Sequence, residues 1–312
     1  MSDRKAPLVR ILMGTYNGAA FLDSQLESIA RQTFKDWHLF CSDDGSTDDT
    51  LAVLNRFAEA HPGQVTVVPG PCKGFSENFL SLVRTLPDDC GYVGFADQDD
   101  IWFPDKIERA LAALKEIDET VPALYGSASW IWNDRTDSRR KTPNLRKPPS
   151  FLNALVENFA TGNTFLLNQT AARLLRDASQ QIGPVFAHDW WAYALISGAG
   201  GKIIYDDTPT LLYRQHSSNE IGAGETFLKR QLRNLSVADG RYRRKVGLQV
   251  EALRRCEDLL GPAHRESLAL FFAARETGPA FSRAAKIVRT GVFRQSVRDQ
   301  IGFLAAALLG KV

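Results

Sequence analysis

The sequence predicts an α/β fold: a mainly parallel sheet with helices on both faces, followed by a helical C-terminal extension. Three observations carry this. Apolar runs of strand length alternate with segments of helical periodicity over the N-terminal part of the chain. The early runs close on acid, Asn, Gly or Ser, where strands leave a core for a turn. Charge then reverses along the chain: residues 1–224 hold 21 Lys and Arg against 28 Asp and Glu, a net of −7, whereas residues 225–312 hold 17 against 8, a net of +9. The reversal divides the chain into an α/β domain over 1–224 and a basic, mostly helical extension over 225–312.

VRILMGTYN (9–17) is a near-continuous apolar run ending in turn residues, the pattern of a buried parallel strand. In FLDSQLESIARQ (21–32), Leu22, Leu26 and Ile29 recur at helical spacing. WHLFCSDDGS (37–46) is a second strand closing on acid, Gly and Ser; Asp48, Asp49 and Thr50 then open a helix whose face is Leu51, Leu54 and Ala58. VTVVPG (65–70) gives a third strand, followed by the loop PCKGFSEN and a helix through Phe79, Val83 and Leu86. GYVGFADQDD supplies the fourth. Pro104 suits a first helical position before KIERALAALKEI, with Ile107, Leu111 and Leu114 on one side. ALYGSASWIW (123–132) reads as one further strand, and the polar, basic NDRTDSRRKTPNLRKPPS (133–150) as a surface loop or flap. From 225 onward the pattern is mostly helical.

Several classes are excluded or disfavoured. Cys41, Cys72, Cys90 and Cys256 lack C-x-x-C spacing and no signal peptide precedes them, so free thiols in a reducing cytoplasm are expected. No run approaches the ~18 apolar residues of a membrane span. Neither G-x-G-x-x-G after the first strand nor G-x-x-x-x-G-K-[ST] occurs, so a bound nucleotide would need a metal rather than a glycine cradle for its phosphates. Nucleic acid is not an expected partner, because the larger half is acidic and no recognition motif is present.

In parallel α/β sheets, ligands bind beyond the carboxyl ends of the strands. Those ends carry Thr15-Tyr16-Asn17, Asp43-Asp44-Gly45-Ser46 and Asp97-Gln98-Asp99-Asp100, which would share one crevice. Asp97 and Asp99 lie two apart and would share a face if the strand continued, whereas a turn after the strand would bring Asp100 inward. Hard divalent cations prefer such oxygens, usually one or two carboxylates plus substrate phosphates. Each cluster also has a plain reading: helix-capping turns at 43–46 and 73–79, an acidic loop at 97–100, core tryptophans at 190–191.

TYNGAAFLDSQLESIARQTFKDWHLFCSDDGSTDDT resembles the amino-terminal signature of family 2 glycosyltransferases, and GFADQDDIWFPDKIE is similar to their D-x-D segment. GNTFLLN, HDWW and YRQHSSNEIGA resemble bacterial rhamnosyltransferases of surface-polysaccharide (O-antigen) assembly; the resemblance covers residues 8 to 224. It implies the Rossmann-like GT-A fold and an inverting transfer from a nucleoside-diphosphate sugar, dTDP-L-rhamnose as leading candidate, to a glycan or lipid-linked glycan acceptor, with Mn²⁺ or Mg²⁺ as cofactor.

By that resemblance Asp44 contacts the pyrimidine base with Thr15, Tyr16 and Asn17 beside it, and the loop with Gly74 and Asn78 closes over the nucleotide. Asp99 and His216 become metal ligands, Asp97 lies beside the ion or on the ribose, and Arg214 meets the diphosphate. Asp189 becomes the general base, with Gly162, Asn163 and Trp190 near the acceptor. Ser217-Ser218-Asn219 departs from the glycine-rich version of that last motif. The basic C-terminal helices suit either the inner surface of an anionic membrane or a packed bundle or dimer. Competing readings are a sugar nucleotidyltransferase, disfavoured by the missing triphosphate loop, and an inactive binding scaffold.

Overall fold

A computed structural model of the chain describes residues 8–216, 241–276 and 279–312. β1 (Val9–Thr15), β2 (Trp37–Asp43), β3 (Val65–Pro69) and β4 (Tyr92–Ala96) form where the apolar runs foretold strands. β1 sits between β2 and β4, parallel to both, and β3 runs parallel to β2. Two further strands, β6 (Ala123–Ser127) and β10 (Lys202–Asp206), pair parallel, and the short β9 (Leu166–Leu167) lies antiparallel between β4 and β6. The resulting order is β10-β6-β9-β4-β1-β2-β3.

The central strands are buried on both faces because they are apolar on both, whereas the edge strands β3 and β10 are half-buried. Val9, Ile11 and Met13 of β1 enter one core, whereas Leu12 enters the other. Helices α1 (Ala19–Ala30), α2 (Thr50–Ala60) and α4 (Lys106–Lys115) cover the first face through Leu22, Leu26, Leu54, Ile107 and Leu111. Helices α3 (Phe75–Arg84), α6 (Gln169–Ser179) and α7 (His188–Gly198) cover the second through Leu80, Val83, Leu175, Trp191 and Leu195. The one-turn α5 (Phe151–Ala154) precedes β9.

Three expectations need correction. ALYGSASWIW is not one strand: Ala128 bonds to Asp206 and Thr210 through its backbone, and the chain then leaves the main sheet. Trp130–Asn133 becomes β7 of a second sheet, ordered β5-β11-β7-β8, with β5 (Ile101–Trp102), β8 (Ser138–Lys141) and β11 (Leu211–Arg214). The stretch from 133 opens as a hairpin instead of a loop, its turn fixed by the Asn133 side chain accepting from the Arg135 and Thr136 amides. Finally, β4 stops at Ala96, so Asp97–Asp100 form a turn and the shared-face spacing does not apply.

The described part of the basic extension is helical: α8 (Arg241–Arg255), α9 (Pro262–Glu276), α10 (Ala280–Arg289) and α11 (Val297–Leu308). It has no core of its own. Val246, Leu253, Phe271, Ile287 and Phe303 join the cluster that holds Trp191 and Leu195 of α7. The boundary expected at 224/225 lies outside the described residues.

Gly198 closes α7 against this extension, and a Cβ there would stand 2.8 Å from Leu260 and 2.8 Å from Phe151. Ala in place of Gly usually favours a helix, but here both neighbours are packed. Gly198→Ala is therefore expected to cost about 1–3 kcal/mol in urea unfolding, whereas a gain would show that the extension is loosely seated.

Candidate active site

The ends of β1, β2 and β4 are tied together by side chains that leave them. Gln98 brackets the Tyr16 backbone, accepting its N–H at 2.9 Å and donating to its carbonyl at 3.0 Å. Asp43 takes the Thr15 hydroxyl at 3.0 Å and the Ser46 amide at 2.9 Å. The Asn17 side chain accepts from the Thr47 amide at 2.8 Å. Asp44 holds the next loop, accepting from the Cys72 amide at 2.6 Å and the Gly74 amide at 2.8 Å. Tyr16 stays 54% exposed on the crevice rim, whereas Thr15 is buried and engaged with Asp43.

Asn78 does not face the crevice. It is buried in α3 and donates to the Ser42 carbonyl of β2 at 2.8 Å, so it ties helix to strand beneath the crevice, with its Oδ1 buried and unpartnered.

The acidic turn has separate roles for its members. Asp99 Oδ2 lies 2.7 Å from His216 Nε2, and the His216 ring stacks on Phe21 with centroids 4.3 Å apart. Asp100 is fully buried, bonded to the Asn163 amide group and, at 3.3 Å, to the Arg214 N–H. Burial, then the neighbouring acids, raises the proton affinity of both Asp97 and Asp100. Asp97 remains partly accessible at the crevice.

Arg214 corrects another expectation. Its guanidinium is buried and committed: Nε to the Asp99 carbonyl at 2.8 Å, one terminal nitrogen to Asp134 at 2.8 Å, the other to Ser24 at 3.2 Å. It also lies over the Trp132 ring at 4.5 Å. It clamps the acidic turn and has no free fork for a diphosphate.

Asp189 stands in the first turn of α7, where it takes the Gly162 amide on one oxygen at 2.8 Å and the Trp190 amide on the other at 2.7 Å. The Asn158 side chain also reaches it, and burial outweighs these bonds to push its pKa up to about 6. Asp189 lies within electrostatic reach of Asp97, and the consecutive Gly162 and Asn163 join it to Asp100 of the acidic turn. Gly162 has to be small: a Cβ there would stand 2.8 Å from that of Asp189. Asn163 is buried on Asp100. Trp190 is buried too, its indole N–H on the Ala154 carbonyl at 2.6 Å, and so offers no stacking face to an acceptor sugar.

Among the described residues no group of three or more His, Cys, Asp or Glu converges on a point that could hold a cation. The Asp99–His216 pair does fit: an anionic oxygen and an imidazole nitrogen suit Mn²⁺ or Mg²⁺ with phosphate oxygens and water completing the shell. Sequence reading missed Gln98, Asp134 and Asn158, whose roles depend on partners remote in the chain. It also passed over His188, buried at the start of α7 with both ring nitrogens unpaired, stacked on Phe79 at 4.0 Å.

The profile of glycosyl transferase family 2 matches residues 10–181, more than half of the chain. The chain belongs to that family. The dTDP-rhamnosyl transferase RfbG of Shigella flexneri is 31% identical over 252 residues, spanning 77% of this chain and 84% of that protein. Staphylococcus aureus TarS 1-349, solved with UDP-GlcNAc, superposes with a TM-score of 0.56 at 16% identity, over 97% of this chain and 81% of that one. The mannosyltransferase PcManGT of Pyrobaculum calidifontis, solved with GDP-Man and Mn²⁺, gives 0.57 at 16%, over 99% and 86%. Both share the GT-A fold with this family 2 enzyme.

Two outcomes follow for the enzyme's site. Replacing Arg214 by Met keeps most of its volume but strands Asp134 and the Asp99 carbonyl; a loss of about 3 kcal/mol in urea unfolding is expected. An unchanged midpoint would mean that the clamp is ornamental. His188 is held neutral by burial, its pKa lowered from 6.5 to about 3. Between those values the unfolded chain binds a proton that the native state refuses, so stability falls as pH drops. His188→Phe should flatten that acid limb and be neutral or stabilising at pH 7, as read by thermal melts across the range.

Proposed function

We propose that this family 2 enzyme is an inverting glycosyltransferase that moves L-rhamnose from dTDP-L-rhamnose to a hydroxyl of a bacterial surface glycan. The observation that carries the chemistry is Asp189: a carboxylate fixed by the Gly162 and Trp190 amides and joined through the Gly162–Asn163 turn to Asp100 of the acidic segment that also carries the Asp99–His216 pair. The similarity to a dTDP-rhamnosyl transferase supports the donor.

Asp189 takes the proton of the acceptor hydroxyl as that oxygen bonds to the sugar C1. The C1–O bond to the diphosphate breaks on the opposite face, and the electron pair leaves with the diphosphate. A Mn²⁺ or Mg²⁺ ion held by Asp99 and His216 would neutralise the charge that grows there. Tyr16 packs against the base and the loop pinned by Asp44 shapes its pocket. Asp97, partly accessible beside Asp99, would meet the ribose.

The test is a panel of nucleotide sugars incubated with enzyme and Mn²⁺, followed by release of nucleoside diphosphate. Selective turnover of dTDP-L-rhamnose is expected; preference for another donor would overturn the sugar assignment. Asp189→Asn should reduce transfer by at least ~10³-fold with donor affinity kept. In the native enzyme kcat/KM should fall about tenfold per unit below pH about 6, where Asp189 takes up its proton. Retained turnover in Asp189→Asn would remove the base.

A further inference from the structure

Helices α10 and α11 are apolar on the outside as well as on the inside. Ile287 and Ala284 of α10 and Phe303, Ala306 and Ala307 of α11 are buried. Beside the buried face of α10, Phe281, Ala285 and Val288 recur at i, i+4 and i+7 and are all exposed, Phe281 by 72%, with Lys286 and Arg289 exposed on the far side. Val297, Ile301, Ala305 and Leu308 do the same on α11, Ile301 by 63%. A helix that merely caps a soluble domain turns charge toward water; these two expose a hydrocarbon stripe as well.

The two stripes form one surface. Val288, Val297, Ile301 and Leu304 line a single open cavity of about 460 Å³, with Arg146 and Lys147 on its rim. Cations surround it: residues 279–312 hold six Lys and Arg against one acid, Asp299, and Arg289 and Arg298 flank the stripes exposed.

We propose that this face docks on an anionic lipid bilayer, with the apolar stripes entering the acyl boundary and the flanking cations meeting lipid phosphates. Charge selects this occupant over a second copy of the chain. A twofold dimer would press the patch on itself, cation against cation. A bilayer with anionic headgroups offers hydrocarbon and opposite charge together. Among the described residues no helix is long and apolar enough to cross a membrane, so the contact is peripheral.

The face is also wired to the site. Gln295, in the turn between the two helices, holds the backbone of Arg146 and Lys147, and its own amide donates to Glu157 at 2.6 Å. The next residue, Asn158, touches Asp189. A membrane on this face would therefore lie against the segment that supports the proposed base. The docking surface itself stands independently of the proposed donor and chemistry.

The test is flotation of the purified full chain with phosphatidylcholine vesicles, with and without phosphatidylglycerol, beside sedimentation equilibrium without lipid. Flotation with the anionic vesicles, weakened by salt, is expected. Arg289→Gln and Arg298→Gln should each lower partitioning about fivefold. Val288→Asp and Ile301→Asp should lower it at least ~10-fold, with unchanged melting temperature and donor hydrolysis to show an intact fold. Failure to float with either vesicle, or flotation insensitive to all four substitutions, would overturn the proposal. So would equal binding to neutral vesicles, or a lipid-free dimer that Ile301→Asp dissociates.

Discussion

One buried carboxylate sets the shape of the acidic turn. Asp100 has no exposed surface; burial and the neighbouring acids favour its protonated form, and its oxygens still need hydrogen-bond partners. Its partners are the Asn163 amide group, just ahead of β9 in the main sheet, and the backbone N–H of Arg214, which ends β11 in the second sheet. The acid therefore joins the two sheets where β4 gives out. Arg214 completes the joint through its guanidinium, reaching the Asp99 carbonyl, Asp134 and Ser24. With Asp100 turned inward and the Asp99 carbonyl held, the Asp99 side chain is directed at His216. Carboxylates this close repel, and the clamp holds them together at that cost.

The same economy governs the other side of the crevice. Asp189 gains from the Gly162 and Trp190 amides and from its place in the first turn of α7, where the helix end favours negative charge. It loses more through burial, and the balance leaves it able to exchange a proton near neutrality. Gly162 and Asn163 are consecutive, and each holds one acid: Asp189 through a backbone amide, Asp100 through a side chain. A single short turn thus sets the spacing between the D-x-D segment and the α7 carboxylate.

Much of the fold was legible because it rests on periodicity. The runs ending at Thr15, Asp43, Pro69 and Ala96 had to be strands, and Leu22, Leu26 and Ile29 had to share a helix face. What was not legible depends on long-range partners. A guanidinium beside acids reads as a phosphate ligand until Asp134, 80 residues earlier, and Ser24, 190 earlier, are seen to hold it. Asn78 and Trp190 read as ligand contacts for the same reason, and each is buried with its side-chain N–H donated within the fold. The hairpin from 130 to 141 hid because β8 is SRRK, an exposed edge strand without an apolar alternation to mark it.

The charge reversal was read as the boundary of a basic helical extension, and the described helices of that extension share a core with the α/β part. The extension packs onto the second face of the sheet, with Val246, Leu253 and Phe271 in one core with Trp191 and Leu195. Helix α7 is thus apolar nearly all round, gripped by the sheet on one side and by the extension on the other, and it carries Asp189 in its first turn. Close-packed interiors transmit small displacements instead of absorbing them. A force on the extension would reach the carboxylate through α7, and by the separate route from Gln295 through Glu157 to Asn158. The basic helices belong to the scaffold that positions the acid, and their positive charge is what is left for the outside.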